Sequence, residues 1–204
     1  MALDAATLAL TAAELKATLT DAKIAKLFEP TRDELVLTLR TRTDTYALLL
    51  SARSGSARVC LTEESFENPE TPPSFCMLMR KHIQNGRITS VHQKDSERII
   101  EIDIETLNEL GFAVSKRLIF EIMGKHSNIV LTDISTGKII DAIKHISIDV
   151  NRVRQILPGL VYQYPPVQDK IPFKKVTENT SIPADPKGIQ RTIGGISPAF
   201  AEEL

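Results

Sequence analysis

The stretch ERIIEIDIETLNELGFAVSKRLIFEIMGKHSNIVLTD, residues 97–133, contains three runs in which apolar and polar side chains alternate. The runs are Arg98–Ile104, Arg117–Met123 and Asn128–Asp133. A period of two residues is typical of half-buried β-strands, and turn residues at Leu110–Gly111 and Gly124–His126 separate the runs. Because strands joined by short turns pair antiparallel, the stretch predicts part of an antiparallel sheet.

Similar patterns lie on both sides of this stretch. Further strands are predicted at Lys23–Phe28, Leu35–Arg40, Tyr46–Leu50, Ala57–Leu61, Ile88–Gln93 and Lys138–Ile143. Apolar residues at helical spacing predict a helix over Asp4–Leu19, capped by Asp4, and a second helix is predicted over Ser74–Gln84. Strands and helices do not alternate in the regular order of a Rossmann fold. The sequence therefore predicts an α+β fold with antiparallel sheets and a few flanking helices.

The last part of the chain has a different composition. Proline-bearing and weakly periodic segments over Tyr162–Pro186 are typical of a linker. Beyond them, Gly194–Gly195 separates two short predicted helices, and Ser197 is placed to cap the second. We expect one domain over residues 1–175. Residues 176–204 are expected to be a linker and the beginning of a helical region that continues in a longer protein.

Composition limits the classes of function. The 204 residues are 42% hydrophobic and 25% charged, which excludes a mainly disordered chain. The 25 basic and 26 acidic residues give a net charge of −1, which excludes a uniformly cationic nucleic-acid binder but not a local basic surface. Cys60 and Cys76 are too few for a disulfide framework or a zinc site, and we expect both in the core. With no signal-peptide pattern and no apolar run of about 20 residues, we expect a cytoplasmic chain without a membrane partner.

Sequence motifs of catalysis are missing. The sequence contains no Gly-x-Ser-x-Gly elbow, no Walker A loop and no Gly-x-Gly-x-x-Gly loop. The histidines lack the spacing of metal ligands. They are His82, His92, His126 and His145. We therefore expect no enzyme, no cofactor and no metal site.

A polar turn follows the strand predicted to end at Met123. Lys125, His126 and Asn128 place a cation, an imidazole and an amide close together, and these groups suit phosphates or base edges. Gly124 allows the backbone to approach a partner closely. The competing interpretation is an ordinary polar hairpin turn.

Glu97 and Arg98 are a second candidate, at the entry to a strand. An acid beside an arginine can orient the guanidinium toward a phosphate or a base, although a plain charged turn has the same sequence. Arg117, Lys144 and His145 are possible additional RNA contacts, because basic groups clustered by segment can form one positive face.

The segment Glu121–Ile129 closely resembles the central motif of the NFACT N-terminal domain. This family includes the bacterial RqcH proteins, also called FbpA-like fibronectin-binding proteins, and their eukaryotic relative NEMF. Five further stretches of this chain resemble other sequence blocks of the family: Glu34–Arg40, Leu61–Glu64, Asn68–His82, Ile139–His145 and Leu157–Gly159. On this basis residues 1–175 are identified as an NFACT N-terminal domain. Gly194–Gly195 resembles the helix-hairpin-helix region that follows it in the family.

The resemblance implies a fold like the N-terminal domain of formamidopyrimidine-DNA glycosylases, an antiparallel β-sandwich with flanking helices. It does not imply glycosylase chemistry. Those enzymes use an N-terminal proline followed by a glutamate, whereas this chain has Ala2 and Leu3 at these positions. A glycosylase-like nucleic-acid enzyme is therefore a disfavoured alternative.

The function that the resemblance implies is ribosome-associated quality control. The module would bind tRNA and a large ribosomal subunit that carries peptidyl-tRNA. It would recruit alanyl-tRNA for mRNA-independent C-terminal alanine tailing of stalled chains, and the ribosome would perform the covalent chemistry. The older family name leaves a second alternative, a surface adhesin that binds fibronectin, which the missing secretion signal disfavours.

Two family motifs transfer to positions of this chain. Glu121, Ile122 and Met123 match a Glu-Ile-Met element that the family needs for tailing, and Glu97 with Arg98 lies where the family usually has Asp-Arg. Arg98 would contact an RNA phosphate or base. Glu121 would accept a hydrogen bond from a base amino group or orient a basic side chain. On an alternating strand, one of Ile122 and Met123 must face the core.

Overall fold

A computed structural model describes residues 3–166 and 168–203, so Ala2 lies outside the described residues. The helices are α1 Ala5–Leu19, α2 Ser74–Ile83, α3 Pro186–Thr192 and α4 Pro198–Glu203. The strands of the main sheet are β1 Lys23–Thr31, β2 Glu34–Arg40, β3 Thr45–Ser51, β4 Arg58–Thr62, β5 Arg87–Gln93, β6 Ile99–Leu107, β7 Ala113–Glu121, β8 Asn128–Asp133 and β9 Ile139–Ala142. Two further short strands, β10 Ile171–Pro172 and β11 Ile193–Gly194, pair parallel with each other.

Strands β1 to β9 form one antiparallel sheet in the order β4-β3-β2-β1-β5-β6-β7-β8-β9. Its two halves meet at β1 and β5, which share a single register pair, Lys23 with Arg87. The sheet is curled, since residues near its opposite edges are in contact. Lys144, just after β9, donates a hydrogen bond to the carbonyl of Ala52, just after β3. The expected antiparallel sheet with flanking helices is therefore confirmed, as one continuous sheet of nine strands. Its likeness to the sandwich of the glycosylase N-terminal domain stays a prediction.

Two apolar clusters lie on opposite faces of β6 and β7. Ile100 and Phe120 belong to the main core, which also includes residues of β2, β3, α1 and α2. Ile99 and Ile119 are one residue out of phase and belong to a smaller outer cluster. Alternate side chains point to opposite faces of a strand, so these strands are buried on both sides. The outer cluster is covered by residues 146–164, which we call the covering segment; Ile156 is its fully buried member.

The predicted linker begins at Tyr162, but the last residues of the covering segment are bound to the sheet. Tyr162 donates to Glu121 at 2.7 Å and Tyr164 donates to Glu101 at 2.5 Å. The start of the predicted linker is therefore fixed to the sheet by hydrogen bonds to two buried carboxylates. Prolines remove the periodicity that would have indicated this packing, because they exclude regular strand and helix geometry.

The ends of two strands also differ from the prediction. Strand β7 ends at Glu121, whereas the alternation predicted Met123, because Gly124 adopts φ of 60° and a short 3₁₀ turn begins there. Strand β6 begins at Ile99, so Arg98 lies in the preceding turn. Both differences place motif residues in turns, where side chains are less constrained by the pleat of a sheet.

The C-terminal helices α3 and α4 contact the start of α1. Ser197 caps α4 as predicted, since its Oγ accepts from the backbone N–H of Phe200 at 3.1 Å. The backbone N–H of Ala5 donates to the carbonyl of Gly195 at 2.8 Å, and the Asp4 side chain accepts from Thr7 at the start of α1. The segment between the two helices is therefore bound to the start of α1.

Both cysteines are free. Cys76 is buried as expected, but Cys60 is only half-buried, because it lies on β4 at the edge of the sheet. Within residues 3–166 and 168–203, no helix combines the length and apolar character needed to cross a membrane.

Candidate functional site

The two family motifs lie at the same end of neighbouring strands. Ile99, the first residue of β6, pairs with Glu121, the last residue of β7. The backbone N–H of Ile122 donates to the carbonyl of Arg98 at 2.8 Å. The antiparallel pairing of β6 and β7 therefore brings together two motifs that are separated by a long hairpin in the sequence.

Glu121 is the buried centre of this end of the sheet. Its side chain is 1% exposed. Arg154 of the covering segment donates to both of its oxygens: Nη1 donates to Oε2 at 2.9 Å, and Nη2 donates to Oε1. The Tyr162 hydroxyl donates to Oε1 at 2.7 Å. Both oxygens of Glu121 therefore accept from protein donors in this structure, one of which is the basic side chain of Arg154.

The charges of this cluster support one another. Burial opposes the charge of Arg154, but the hydrogen bonds and the charge of Glu121 outweigh it, so the pKa of Arg154 lies above its usual value. Burial and the nearby Glu121 charge raise the pKa of Tyr162 far above its usual value. Arg154 is therefore charged and Tyr162 neutral throughout the physiological range, and the cluster holds its hydrogen bonds there.

Ile122 and Met123 divide as the sequence predicts, although neither lies on the strand. Ile122 is 2% exposed and belongs to the main core. Met123 is half-buried against the outer cluster, and its backbone N–H donates to the Ser127 hydroxyl at 2.9 Å. Ile122 thus packs in the core beneath the turn, whereas Met123 lies nearer the surface.

The side chains of Asn128 and Lys144, both predicted RNA contacts, are engaged within the protein. Asn128 is fully buried; its Nδ2 donates to the Lys144 carbonyl at 2.8 Å and its Oδ1 accepts from the Lys144 N–H at 3.1 Å. The Lys144 ammonium donates to the Ala52 carbonyl at 2.6 Å and pairs with Asp33 at 3.1 Å. The Lys144 contacts link the end of β9 to the turn before β2 and to the end of β3.

Arg117 and His145 also have protein partners. Arg117 makes two hydrogen bonds to Asp103, at 2.6 and 3.0 Å, and these raise the pKa of the guanidinium. His145 is exposed and lies 2.6 Å from Asp141. Both side chains are engaged with carboxylates, so neither offers an unshared positive charge to RNA.

Four predicted residues remain accessible. Glu97 and Arg98 are half-buried in the turn between β5 and β6, and Lys125 and His126 are exposed in the turn between β7 and β8. Across the described ranges, the side chains of Arg98, Lys125 and His126 have no hydrogen bond or ion pair with protein. The described residues contain no cluster of His, Cys, Asp and Glu suited to a metal. The site therefore offers unshared donors and positive charge, the groups that bind phosphates and base edges.

Sequence reasoning missed the residues that fix this end of the sheet. Arg154 and Tyr162 bind Glu121, and Tyr164 binds Glu101, which His92 also contacts at 2.9 Å. One signal was available: Glu101 and Glu121 face the same side of the sheet as Ile99 and Ile119. Carboxylates among apolar residues require partners, and the sequence does not show where those partners lie.

Comparisons with known proteins agree on one family. A family model described as NFACT N-terminal and middle domains matches residues 4–204. The Rqc2 homolog RqcH of Bacillus subtilis is 38% identical over 197 residues, 93% of this chain and 35% of that protein. The Rqc2 homolog RqcH of Streptococcus suis is 40% identical over 198 residues, 94% of this chain and 36% of that protein. The chain thus spans little more than a third of these relatives.

A solved structure is similar over almost the whole chain. The N-terminal domain of fibronectin-binding protein PavA from Streptococcus pneumoniae has a TM-score of 0.93 and 36% sequence identity, covering 98% of this chain and 77% of that one. Sequence and structure therefore give the same answer: this chain belongs to the NFACT family, whose N-terminal and middle domains it matches from residue 4 to residue 204.

Proposed function

We propose that this chain is the tRNA- and large-subunit-binding module of a cytoplasmic ribosome quality control factor. In this proposal the factor recruits alanyl-tRNA to a large ribosomal subunit that carries peptidyl-tRNA, and stalled chains receive C-terminal alanine tails without mRNA. The RqcH relatives support the proposal. The observation that carries it is the unshared positive charge of Arg98 and Lys125, with the unpaired imidazole of His126, beside the buried Glu121 cluster.

The proposed mechanism is positioning without covalent catalysis. Arg98 contacts an RNA phosphate or base edge, and Lys125 and His126 add contacts from the neighbouring turn. Glu121 acts through Arg154 and Tyr162, because it fixes the covering segment against the end of β7. The peptidyl-transferase centre of the ribosome forms the bonds. Likeness to the glycosylase N-terminal domain and to a helix-hairpin-helix region stays a prediction.

Arg98→Ala in the full-length protein tests this proposal. We expect tRNA affinity to fall about tenfold, and alanine tailing to be lost, because one direct RNA contact contributes about 1–3 kcal/mol. Arg42→Ala is the matched control, since Arg42 is exposed in the turn between β2 and β3. Both variants should unfold at the same denaturant concentration as the wild type. Unchanged tRNA binding and tailing in Arg98→Ala would reject this site.

Fibronectin binding is a second candidate, because the PavA relative is named for it. The two functions separate in one comparison. If the chain binds immobilised fibronectin and Arg98→Ala leaves that binding unchanged while tRNA does not bind, the adhesin function is favoured. Co-sedimentation of the wild type with large ribosomal subunits favours the quality control function.

A further inference from the structure

A cavity of about 750 Å³ opens beside the turn that carries Glu97 and Arg98. Its walls are the turn Lys94–Glu97, residues 164–165 and 168–175, and the glycine pair Gly194–Gly195 between α3 and α4. This volume lies within the ~300–1,000 Å³ typical of small-ligand sites. Arg98 itself does not line the cavity. The cavity is therefore adjacent to the proposed RNA contact at Arg98 but separate from it.

The lining combines an apolar wall with positive charge. The apolar wall consists of Ile99, Tyr164, Pro165 and Pro172. Four lysines and two acids also line the cavity: Lys94, Lys170, Lys174, Lys175, Asp95 and Glu97. The wall is rigid, because Tyr164 donates to the buried Glu101 at 2.5 Å and prolines have fixed φ.

The lysines are not equally available. Lys94 pairs with the Asp95 carboxylate at 2.9 Å, and Lys174 donates to the Asp95 carbonyl at 2.7 Å. The ammonium groups of Lys170 and Lys175 have no hydrogen bond or ion pair with any described residue. The cavity therefore has two unshared positive charges, which is the requirement for an anionic group of a ligand.

The floor has an unmet hydrogen-bonding group. Gln93 lines the cavity and is 9% exposed. Its Nε2 donates to the carbonyls of Ala5 and Glu97, at 2.8 and 2.9 Å, which fixes the orientation of the amide. Its Oε1 is buried without a partner among the described residues. Such a group costs free energy, and a ligand that carries an N–H group is the kind of partner that recovers it.

We propose that this cavity binds one nucleotide, with the base against the apolar wall and the phosphate on Lys170 and Lys175. A flat base with N–H donors and an attached phosphate matches an apolar wall, an unmet acceptor and two free cations. The nucleotide is either an unpaired residue of a bound RNA or a free nucleotide. The RNA source rests on the proposed function, whereas the free-nucleotide source does not.

Two probes and two variants test the cavity in the full-length protein. The probes are a short oligoadenylate, compared with a length-matched abasic oligomer, and adenosine monophosphate. Gly194→Leu fills the cavity; a Cβ at Gly194 has its nearest neighbour, Lys170 Cβ, at an ordinary 3.5 Å. Lys170→Ala/Lys175→Ala removes the two charges without new volume, and Lys187→Ala on α3 is the exposed control. Thermal melting verifies that each variant folds.

We expect the wild type to bind oligoadenylate about tenfold more tightly than the abasic oligomer, and Gly194→Leu to lose that difference. The lysine variant should bind both oligomers more weakly, because both carry the phosphates that the two lysines contact. Saturable binding of adenosine monophosphate, lost in the same variants, identifies a free nucleotide as a source; its absence assigns the cavity to RNA alone. Equal binding of the two oligomers by the wild type, wild-type discrimination in Gly194→Leu, or wild-type affinities in the lysine variant, overturns the proposal. Discrimination that persists in Arg98→Ala leaves the cavity in place and separates it from the proposed Arg98 contact.

Discussion

Glu121 shows how a single acidic residue can determine the shape of a surface that it does not itself form. Its carboxylate is buried, and its two oxygens are occupied by Arg154 and Tyr162 from a segment far along the chain. The Glu121–Arg154 ion pair is shielded from solvent, since the Glu121 side chain is 1% exposed and the Arg154 side chain is 10% exposed. Removing one partner of such a pair leaves an uncompensated charge in a poorly solvated place.

Glu121→Ala is therefore expected to lower the free energy of unfolding by about 3–5 kcal/mol. Glu105→Ala, an exposed glutamate on the neighbouring strand β6, is the control and should change it by less than about 0.5 kcal/mol. Urea unfolding measures both. Glu121→Leu combined with Arg154→Met should recover part of the loss, because no unpaired charge remains. A Glu121→Ala variant as stable as the control would contradict the buried pair.

Gly195 is constrained in a different way, by its conformation and by its neighbours. It has φ of 81°, and a Cβ there would lie 2.5 Å from Ala5 Cβ and 2.9 Å from the Ser96 carbonyl. Gly55 has φ of 82° and nothing within 4 Å. The two glycines therefore share the conformational requirement, and only Gly195 carries the contact of the C-terminal helices with α1 and the Asp95–Glu97 turn.

The comparison of Gly195→Ala with Gly55→Ala isolates that contact. Gly55→Ala should cost about 1–2 kcal/mol, the penalty of alanine at positive φ. Gly195→Ala should cost a further ~1–3 kcal/mol, because the added methyl group overpacks a closed site. Denaturant unfolding of both variants gives the difference. Equal losses would mean that the helix pair is not held against α1 in solution.

The covering segment is an element without regular secondary structure that completes the sheet. Ile156 is fully buried in the outer cluster, whereas Val153, in the same segment, is 75% exposed. Ile156→Ala should lower the free energy of unfolding by about 2–5 kcal/mol, since it leaves a cavity, and should expose the segment to proteolysis. Val153→Ala should do neither. Limited proteolysis with mass spectrometry, beside urea unfolding, checks both; equal cleavage of the two variants would contradict the covering role.

The same segment marks the limit of what the sequence predicts. Strands β6 to β8 follow from the alternation in their sequences and from the turn residues between them, which are local signals. The pairing of the two motifs follows from antiparallel neighbours. The partners of Glu121 do not follow, since Arg154 and Tyr162 lie in an aperiodic segment and reach it only through the tertiary fold. For the same reason, burial of Asn128 was not predictable: its partner is the Lys144 backbone.

The packing of α2 against the sheet places a titratable group where it links stability to pH. His82 on α2 is half-buried, and burial lowers its pKa below the usual value, with further lowering by Lys116 and Lys81. Nearby Glu109 and Asp133 act in the opposite direction but do not reverse the shift. They are themselves paired, Glu109 with Lys81 and Asp133 with Lys116. The folded state therefore holds His82 neutral more strongly than the unfolded chain does.

The sign of the pH dependence follows from that difference. Above the unfolded pKa of about 6.5, His82 is neutral in both states and costs nothing. As the pH falls below that value, the unfolded chain binds the proton first, so the folded state loses stability. His82→Gln should therefore lose less stability than the wild type between about pH 7.5 and 5, with His126→Gln, an exposed histidine, as the control. Urea unfolding at several pH values measures the free energy of unfolding of each variant. If that free energy changes with pH in parallel for His82→Gln and the wild type, His82 is not shielded in the folded state. A solvated imidazole would titrate equally in the folded and unfolded states.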